Sequence, residues 1–535
     1  MYLSGREVGA YLWITSNLGG DTIFFSFNCQ QLLAPPSLST LLLRKPYKSL
    51  MHSSSTKALR ILEIFELVAL SLEDRRDLLS LTLLVPSLCH KVFARRLDRR
   101  VETDQTNVRA WDYFMKYPDR AEMVRTLLLE LIEKASEALE EPHKNNALAE
   151  AVNGMKRLER LKVWEKADQR NAAGSIGRHL SEAIPKIHGL GSLRNLEVDL
   201  QKLNGDDFCL LSNLTGLVDL NMTSQSVHHG AGSDLAKFLC GNLNLVRLRL
   251  DLTAPRAFAL SFPLELGEFF RSVTLCCLLE LSISIEMTSG SVRDLALFLE
   301  RHPKIISLSL ETGIRTLPNL AKGSLPDLRE LTCSESGISS IFHYPMEPSR
   351  PLTKIGGFGC TPIIRELFGS AFIDSEKIGE ITYVSWGCLS DLWCLVGIFP
   401  NITTLVFNPA MSALATRKDR CIGTLRYFQH LRRFRGIALF ENPNEDDAEY
   451  INKSRLSDLA RIVPPMQEID IWHTSENEKL KRLIVLSRDG DIVTASIAHE
   501  RATGPPYIEQ CFLQRCHDPN KKKDEEEGDD SEGEE

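Results

Sequence analysis

The chain has 535 residues, of which 43% are hydrophobic and 25% are charged, so it is long enough for several domains or for one extended repeat array. Its formal net charge is -8, but residues 524–535 carry nine carboxylates and no basic side chain, and removing these nine from -8 leaves residues 1–523 at about +1. A near-neutral body argues against a nucleic-acid-binding protein, and thirteen cysteines are too sparse for a disulfide scaffold.

Residues 1–57 are predicted to be a disordered leader, because they show no sustained apolar period and contain a Ser-rich run at 52–56. The apolar stretch at 8–27 is interrupted by Asn17, Gly19 and Gly20, so it falls short of the ~18 uninterrupted apolar residues of a membrane helix. It also lacks the pattern of a secretory signal. We therefore expect no membrane contact, and a cytoplasmic and/or nuclear protein with free thiols.

Helical periodicity runs from residue 58 to 101. Apolar residues at 61, 62, 64, 65, 67 and 68 form the broad face of a helix, and a second apolar run over 78–88 contains Pro86, which must begin, end or kink a helix. Short helices in ~45 residues cannot bury all their apolar faces, so some apolar surface is left for a partner or for the next domain. Residues 102–157 are predicted to form a helical linker or N-terminal cap, in which 123–132 is a candidate for the first strand.

A short unit, apolar-x-x-apolar-x-apolar, recurs from residue 158 to about 490. The spacing of these units is 23–35 residues, and most spacings match the 20–29 residues of a leucine-rich repeat. The first apolar positions of the twelve units are Leu158, Leu193, Leu217, Leu245, Leu278, Ile305, Leu328, Leu352, Ile378, Ile402, Leu431 and Met466.

The sequence around these units predicts one strand and one helix in each. Prolines at 303, 326, 400 and 464 stand two residues before the first apolar position, where proline ends a helix and favours extended chain. Amphipathic segments that reach Leu235, Leu295 and Leu392 stand ten residues before the next unit. The fold class is therefore predicted to be α/β, an irregular leucine-rich-repeat solenoid with a parallel sheet on its concave face and helices on its convex face.

The x positions of each strand are expected to face the concave surface. Their mixed charge favours a protein or peptide ligand over a polyanion. The assignment depends on the register, since a shift of one residue would move every side chain of a strand to the other face. The predicted substrate-binding residues are Arg247, Arg249, Ser307, Ser309, Arg329, Thr404 and Asp470.

The order of helical segment, linker and irregular repeats resembles F-box proteins with leucine-rich repeats, in particular the divergent fungal type, over roughly residues 58–490. In that family the F-box docks a Skp-type adaptor of a cullin–RING ubiquitin ligase, and the repeats capture the substrate. The chain departs from the family at residue 62, where proline is usual, and near residue 88, where tryptophan is usual. The resemblance implies apolar adaptor contacts through Leu62, Ile64, Phe65, Leu67, Val68, Leu83, Leu84 and Leu88.

An alternative stays open, in which the helices of 58–101 cap the solenoid of a stand-alone interaction scaffold. In either case we expect no enzyme and no cofactor, since the chain has no P-loop, no G-x-G-x-x-G, no G-x-S-x-G and no H-E-x-x-H. We also expect no metal site, because His228-His229 and the group Cys511, Cys516 and His517 lack a full ligand set. Residues 491–535 are predicted to be a C-terminal extension that ends in a disordered acidic tail.

Overall fold

The chain divides into two compact units, residues 1–101 and 102–535. The predicted F-box-like segment lies almost wholly outside the described residues, since nothing between 29 and 98 is described. The computed structural model describes residues 9–15, 22–28, 99–132, 142–165, 176, 180–227, 230–252, 265–311, 317–345, 349–359, 361–369, 373–384, 389–407, 418–435, 439, 448–471, 482–489, 492–499 and 507–515.

The described part of the first unit contains a pair of short strands. Strand β1 (Gly9–Thr15) pairs antiparallel with β2 (Thr22–Asn28). Both are rich in aromatic and β-branched residues, such as Trp13 and Phe25, which favour strands. The pair lies within the predicted leader, where two seven-residue strands are too short to give a sustained period.

A long series of parallel strands forms the sheet of the second unit. From β4 to β16, each strand is hydrogen-bonded in parallel to the next strand along the chain. The predicted α/β class and mostly parallel sheet are therefore confirmed. After β3 (Arg100–Asp104), the strands of this series are β4 (Thr126–Leu131), β5 (Arg160–Glu165), β6 (Asn195–Leu203), β7 (Asp219–Val227), β8 (Arg247–Asp251), β9 (Glu280–Ser284), β10 (Ser307–Leu310), β11 (Glu330–Cys333), β12 (Lys354–Gly356), β13 (Glu380–Val384), β14 (Thr404–Phe407), β15 (Arg433–Arg435) and β16 (Glu468–Ile471).

Helices lie between most successive strands. Some of them start at a side-chain cap, as where the Asn204 side chain and Asp207 form a capping box and where Thr288 Oγ1 accepts from Ser291 N–H. The helices are α1 (Val108–Lys116), α2 (Pro118–Ala121), α3 (Pro142–Asn153), α4 (Ala183–Leu190), α5 (Gly205–Leu211), α6 (Ala231–Cys240), α7 (Gly267–Ser272), α8 (Ser289–Arg301), α9 (Glu335–Ile341), α10 (Pro362–Gly369), α11 (Leu389–Ile398), α12 (Lys418–Leu425) and α13 (Ala448–Ile462), with a 3-10 turn at Ser375–Lys377.

The register of the strands follows the repeat unit. Every strand from β5 to β16 begins two residues after the first apolar position of its unit. All twelve of those apolar residues are buried, and so are Leu235, Leu295 and Leu392 of the preceding helices. The prediction that the segments at 245, 305, 328 and 402 share one parallel sheet is therefore confirmed.

The unit at Ile355, where a glycine replaces the expected apolar residue, is a local irregularity. Strand β12 spans only three residues, and Gly357 has a φ of 81°, a conformation that favours glycine. Its backbone N–H donates to the Thr382 carbonyl at 3.0 Å, and the register shifts between β13 and β14. The poor match in sequence therefore marks a close backbone approach.

The parallel series ends in an antiparallel meander. Strand β16 pairs antiparallel with β17 (Arg482–Asp489), which is followed by β18 (Ile492–His499) and β19 (Tyr507–Arg515). These strands cover the edge that β16 would otherwise expose, as sheets generally require. Strands β18 and β19 lie within the predicted C-terminal extension. Within the described ranges, no helix is both long and apolar enough to cross a membrane.

Candidate functional site: the open face of the parallel sheet

The two faces of the sheet differ in chemistry. Side chains alternate between the faces of a strand, so Leu248 and Leu250 of β8 are buried while Arg247 and Arg249 are exposed. The same alternation holds along β9 and β10 and along the first six residues of β6 and β7. We call the side opposite the buried apolar residues the open face.

In-register pairing aligns the residues of the open face in two rows that cross the strands. The first row contains Arg160, Asn195, Asp219, Arg247, Glu280, Ser307, Glu330, Lys354, Glu380, Thr404, Arg433 and Glu468. The second row contains Lys162, Glu197, Asn221, Arg249, Ser282, Ser309, Thr332, Gly356 and Thr382.

A depression of about 420 Å³ lies on the open face across strands β5 to β10. Three arginines and three carboxylates stand in its lining, so its charges balance. A balanced lining suits a mixed protein surface better than a uniformly negative polymer. The polar lining residues are Arg160, Asn195, Glu197, Asp219, Asn221, Arg247, Arg249, Glu280, Ser282, Ser307 and Ser309.

One carboxylate of the lining, Glu197, is held between two cations. Its oxygens lie 2.6 Å from Lys162 Nζ and 3.1 Å from Arg160 Nη2. Burial acts to raise the pKa of Glu197, but the hydrogen bonds and positive charges of Lys162 and Arg160 outweigh it and lower the pKa. Glu197 therefore stays ionised and occupies both of these cations.

A second pair fixes the neighbouring arginine. Arg247 Nη2 lies 2.8 Å from Asp219 Oδ2, and its Nε donates to the same oxygen at 3.0 Å. The hydrogen bond and charge of Asp219 raise the pKa of Arg247. The Asp219 carboxylate thus balances the charge of Arg247 within the sheet.

Further along the strands, burial raises the pKa of Asp199, where attraction by Lys162 is opposed by repulsion from the Glu197 and Asp251 carboxylates.

Arg249 differs from the other two arginines of the depression. Its side chain is exposed and forms no ion pair or hydrogen bond with any described residue. Its neighbours in the second row are Asn221 and Ser282. The Oδ1 atom of Asn221 is buried and accepts no hydrogen bond from the described part of the chain. The site therefore presents a free cation beside an unsatisfied acceptor.

No family model matches this chain, and no curated protein matches its sequence. In the ranges that the structure describes, no group of three or more His, Cys, Asp or Glu side chains is placed to hold a metal ion. His228-His229, Cys516 and His517 lie outside those ranges, whereas Cys511 lies in β19.

Four of the seven predicted substrate-binding residues meet in the depression, namely Arg247, Arg249, Ser307 and Ser309. The other three lie elsewhere on the array. Arg329 precedes β11 by one residue, so Glu330 takes the open-face position of that unit. Thr404 stands in the first row on β14, beyond the depression. Asp470 lies in β16 opposite Leu483, and its side chain is not described.

Seven polar residues of the depression were not among the predicted substrate-binding residues, namely Arg160, Asn195, Glu197, Asp219, Asn221, Glu280 and Ser282. The signal for them was present, because they occupy the same unit positions as the predicted arginines and serines. The predicted adaptor contacts have no position in this site, since Leu62, Ile64, Phe65, Leu67, Val68, Leu83, Leu84 and Leu88 all lie outside the described residues.

Proposed function

We propose that the chain is a non-catalytic substrate-recognition subunit of a cullin–RING ubiquitin ligase, built as a leucine-rich-repeat solenoid. In this proposal, residues 58–101 dock a Skp-type adaptor and the open face binds the substrate protein. The chain performs no covalent chemistry itself. The observation that carries the proposal is the depression of about 420 Å³, lined by polar and charged side chains from six successive repeat units.

The repeat geometry supports a recognition role. Each unit from β5 to β16 contributes one strand at the same register, so adjacent units share a core and display their polar positions side by side. Exposed side chains on such a face are not needed for packing. They are therefore available to contact another polypeptide.

The N-terminal end of the sheet favours adaptor docking over capping for residues 58–101. Strand β4 already has a cover within residues 102–535, because Gln105 N–H donates to the Glu130 carbonyl at 3.2 Å. The Gln105 side chain also donates to the Ile132 carbonyl at 2.6 Å and accepts from Ile132 N–H at 2.9 Å. Gln105 thus satisfies backbone groups of Glu130 and Ile132 without the apolar residues at 61–68, which supports a docking role for that segment.

Co-expression of the full chain with a Skp-type adaptor tests the proposal. We expect the two proteins to co-purify, and we expect Ile64→Asp combined with Phe65→Asp to abolish the complex. Each buried apolar contact is worth about 1.5–3 kcal/mol, so two charged replacements would remove about 3–6 kcal/mol of docking energy.

The matched control is Leu297→Asp, since Leu297 is an apolar residue of α8 with 50% of its surface exposed. This variant should bind the adaptor as the unmodified chain does. Thermal unfolding of the double variant separates the two alternatives. A double variant that loses its fold would identify 58–101 as a cap, and an unmodified chain that fails to co-purify would refute the ligase role.

A further inference from the structure

The charges of the depression balance in number, but one of its cations, Arg249, makes no ion pair with a described residue. Arg160 is paired with Glu197 at 3.1 Å, and Arg247 with Asp219 at 2.8 Å. Arg249 has no such partner among the described residues, although it lies at the centre of the lining. A guanidinium offers five donors in a planar fork that matches a carboxylate. Arg249 is therefore available to bind an anion from a ligand.

The neighbours of Arg249 add a second requirement. Adjacent strands are about 4.8 Å apart, so Asn221 on β7 and Ser282 on β9 flank Arg249 within reach of one bound group. Ser282 and Ser309 supply hydroxyls that can donate to the same anion. Asn221 Oδ1, by contrast, is a buried acceptor without a donor, and such an atom costs about 1–3 kcal/mol until it receives a hydrogen bond.

We propose that the depression binds an acidic residue of a protein segment, with its carboxylate on Arg249 and an N–H of the same segment on Asn221 Oδ1. This inference rests on the proposed function, because it names the ligand class of the same open face. A polypeptide satisfies both requirements, since every residue except proline carries a backbone N–H donor.

Two other anions fit less well. A free inorganic anion would pair with Arg249 but would leave Asn221 Oδ1 unsatisfied, because it carries no suitably placed N–H. A polyanion such as nucleic acid would approach Glu197, Asp219 and Glu280, three carboxylates of the same lining. An isolated acid flanked by neutral or basic residues therefore matches the surface best.

Selection of random peptides displayed on phage, with the full chain as bait, tests this inference. We expect enrichment of peptides with an Asp or Glu at one fixed position, and no such enrichment with Arg249→Gln as bait. Arg433→Gln is the matched control, because Arg433 stands in the first row on β15 outside the depression and is paired with Glu468 at 3.2 Å. It should select the same peptides as the unmodified chain.

Fluorescence anisotropy with the best selected peptide then measures the coupling between Arg249 and the acidic residue of the peptide. Arg249→Gln should weaken binding at least about tenfold, the loss expected for a charge-assisted hydrogen bond, and Arg249→Lys should weaken it less. Replacing the peptide acid by its amide should cause the same loss, with no further loss when both changes are combined. Asn221→Ala should also weaken peptide binding.

Circular dichroism confirms that each variant keeps its fold. Additive losses from Arg249→Gln and from the amide replacement in the peptide would overturn the inference. Displacement of the peptide by inorganic phosphate, at the concentration at which the peptide itself binds, would also overturn it. The outcome of this test can be distinguished from the outcome of the adaptor test. Adaptor binding without coupling to Arg249 refutes only this inference, whereas coupling without adaptor binding refutes only the ligase role.

Discussion

Asn242 is expected to be a main determinant of stability in the middle of the array. Its side chain is 1% exposed, and it accepts from Leu217 N–H at 2.9 Å while donating to the carbonyls of Leu214 at 2.9 Å and Phe238 at 3.0 Å. Asn242→Ala removes all three bonds. The Phe238 carbonyl keeps a bond from Gly241 N–H, but the buried Leu217 N–H and the Leu214 carbonyl lose the Asn242 side chain. Each of these two buried groups costs about 1–3 kcal/mol when it is left without a partner, so the free energy of unfolding should fall by about 2–6 kcal/mol.

Urea denaturation followed by circular dichroism measures this loss, and hydrogen exchange at the Leu217 amide locates it. The matched control is Asn213→Ala, because Asn213 also donates to two carbonyls, at 3.0 and 3.5 Å, but is exposed. Water replaces its bonds, so its effect should stay within about 0.5 kcal/mol. Equal midpoints for the two variants would refute the assignment of Asn242 as a buried connector between units.

Two further predictions concern buried positions of the same array. Burial lowers the pKa of His302 below 6.5, and its neutral ring accepts from Leu275 N–H at 2.8 Å. Stability should therefore be constant above pH 6.5 and fall as the pH drops from 6.5 towards the lower folded-state pKa. The fall should be smaller in His302→Gln. An equal fall in the thermal melts of the two chains would contradict this reasoning. Gly356→Ala should destabilise by about 1–3 kcal/mol, because a Cβ there would overlap the Thr382 carbonyl oxygen. Gly397→Ala, with open space around it in α11, should instead stabilise by about 0.5 kcal/mol in the same urea assay, and a change of the same sign in both would contradict the account.

The strand register could be predicted from the sequence because each unit repeats the same constraint. An apolar residue at the entry of the strand and alternation along it leave only one register that buries Leu245, Leu248 and Leu250 together. The prediction of Arg247 and Arg249 as open-face residues follows from that register. Arg329 follows the first apolar residue directly, and in this structure that position precedes the strand.

Other features of the site could not be predicted, because they depend on contacts between units. Nothing local in the sequence shows that Asp219 pairs with Arg247 across 28 residues, or that Arg249 makes no ion pair with any residue that the structure describes. The unsatisfied Oδ1 of Asn221 likewise depends on the side chains that cover it. The glycine at 357 was visible as a poor match to the unit, but its cause lies in its positive φ and in the backbone of β11, because an added Cβ would lie 3.0 Å from the Cys333 backbone.

The core and the open face of this sheet are separable, and that separation allows the proposed experiments to test binding and stability independently. Units of a repeat protein are stabilised by their own core and by their neighbours, so removing one exposed side chain leaves the array intact. The Arg247–Asp219 pair, with side chains 47% and 29% exposed, adds about 0–1 kcal/mol to stability. Its larger effect is to neutralise Arg247 and leave Arg249 as the available cation. Binding lost at unchanged stability in Arg249→Gln, and stability lost in Asn242→Ala, would therefore assign binding to the open face and stability to the connection between α6 and β8.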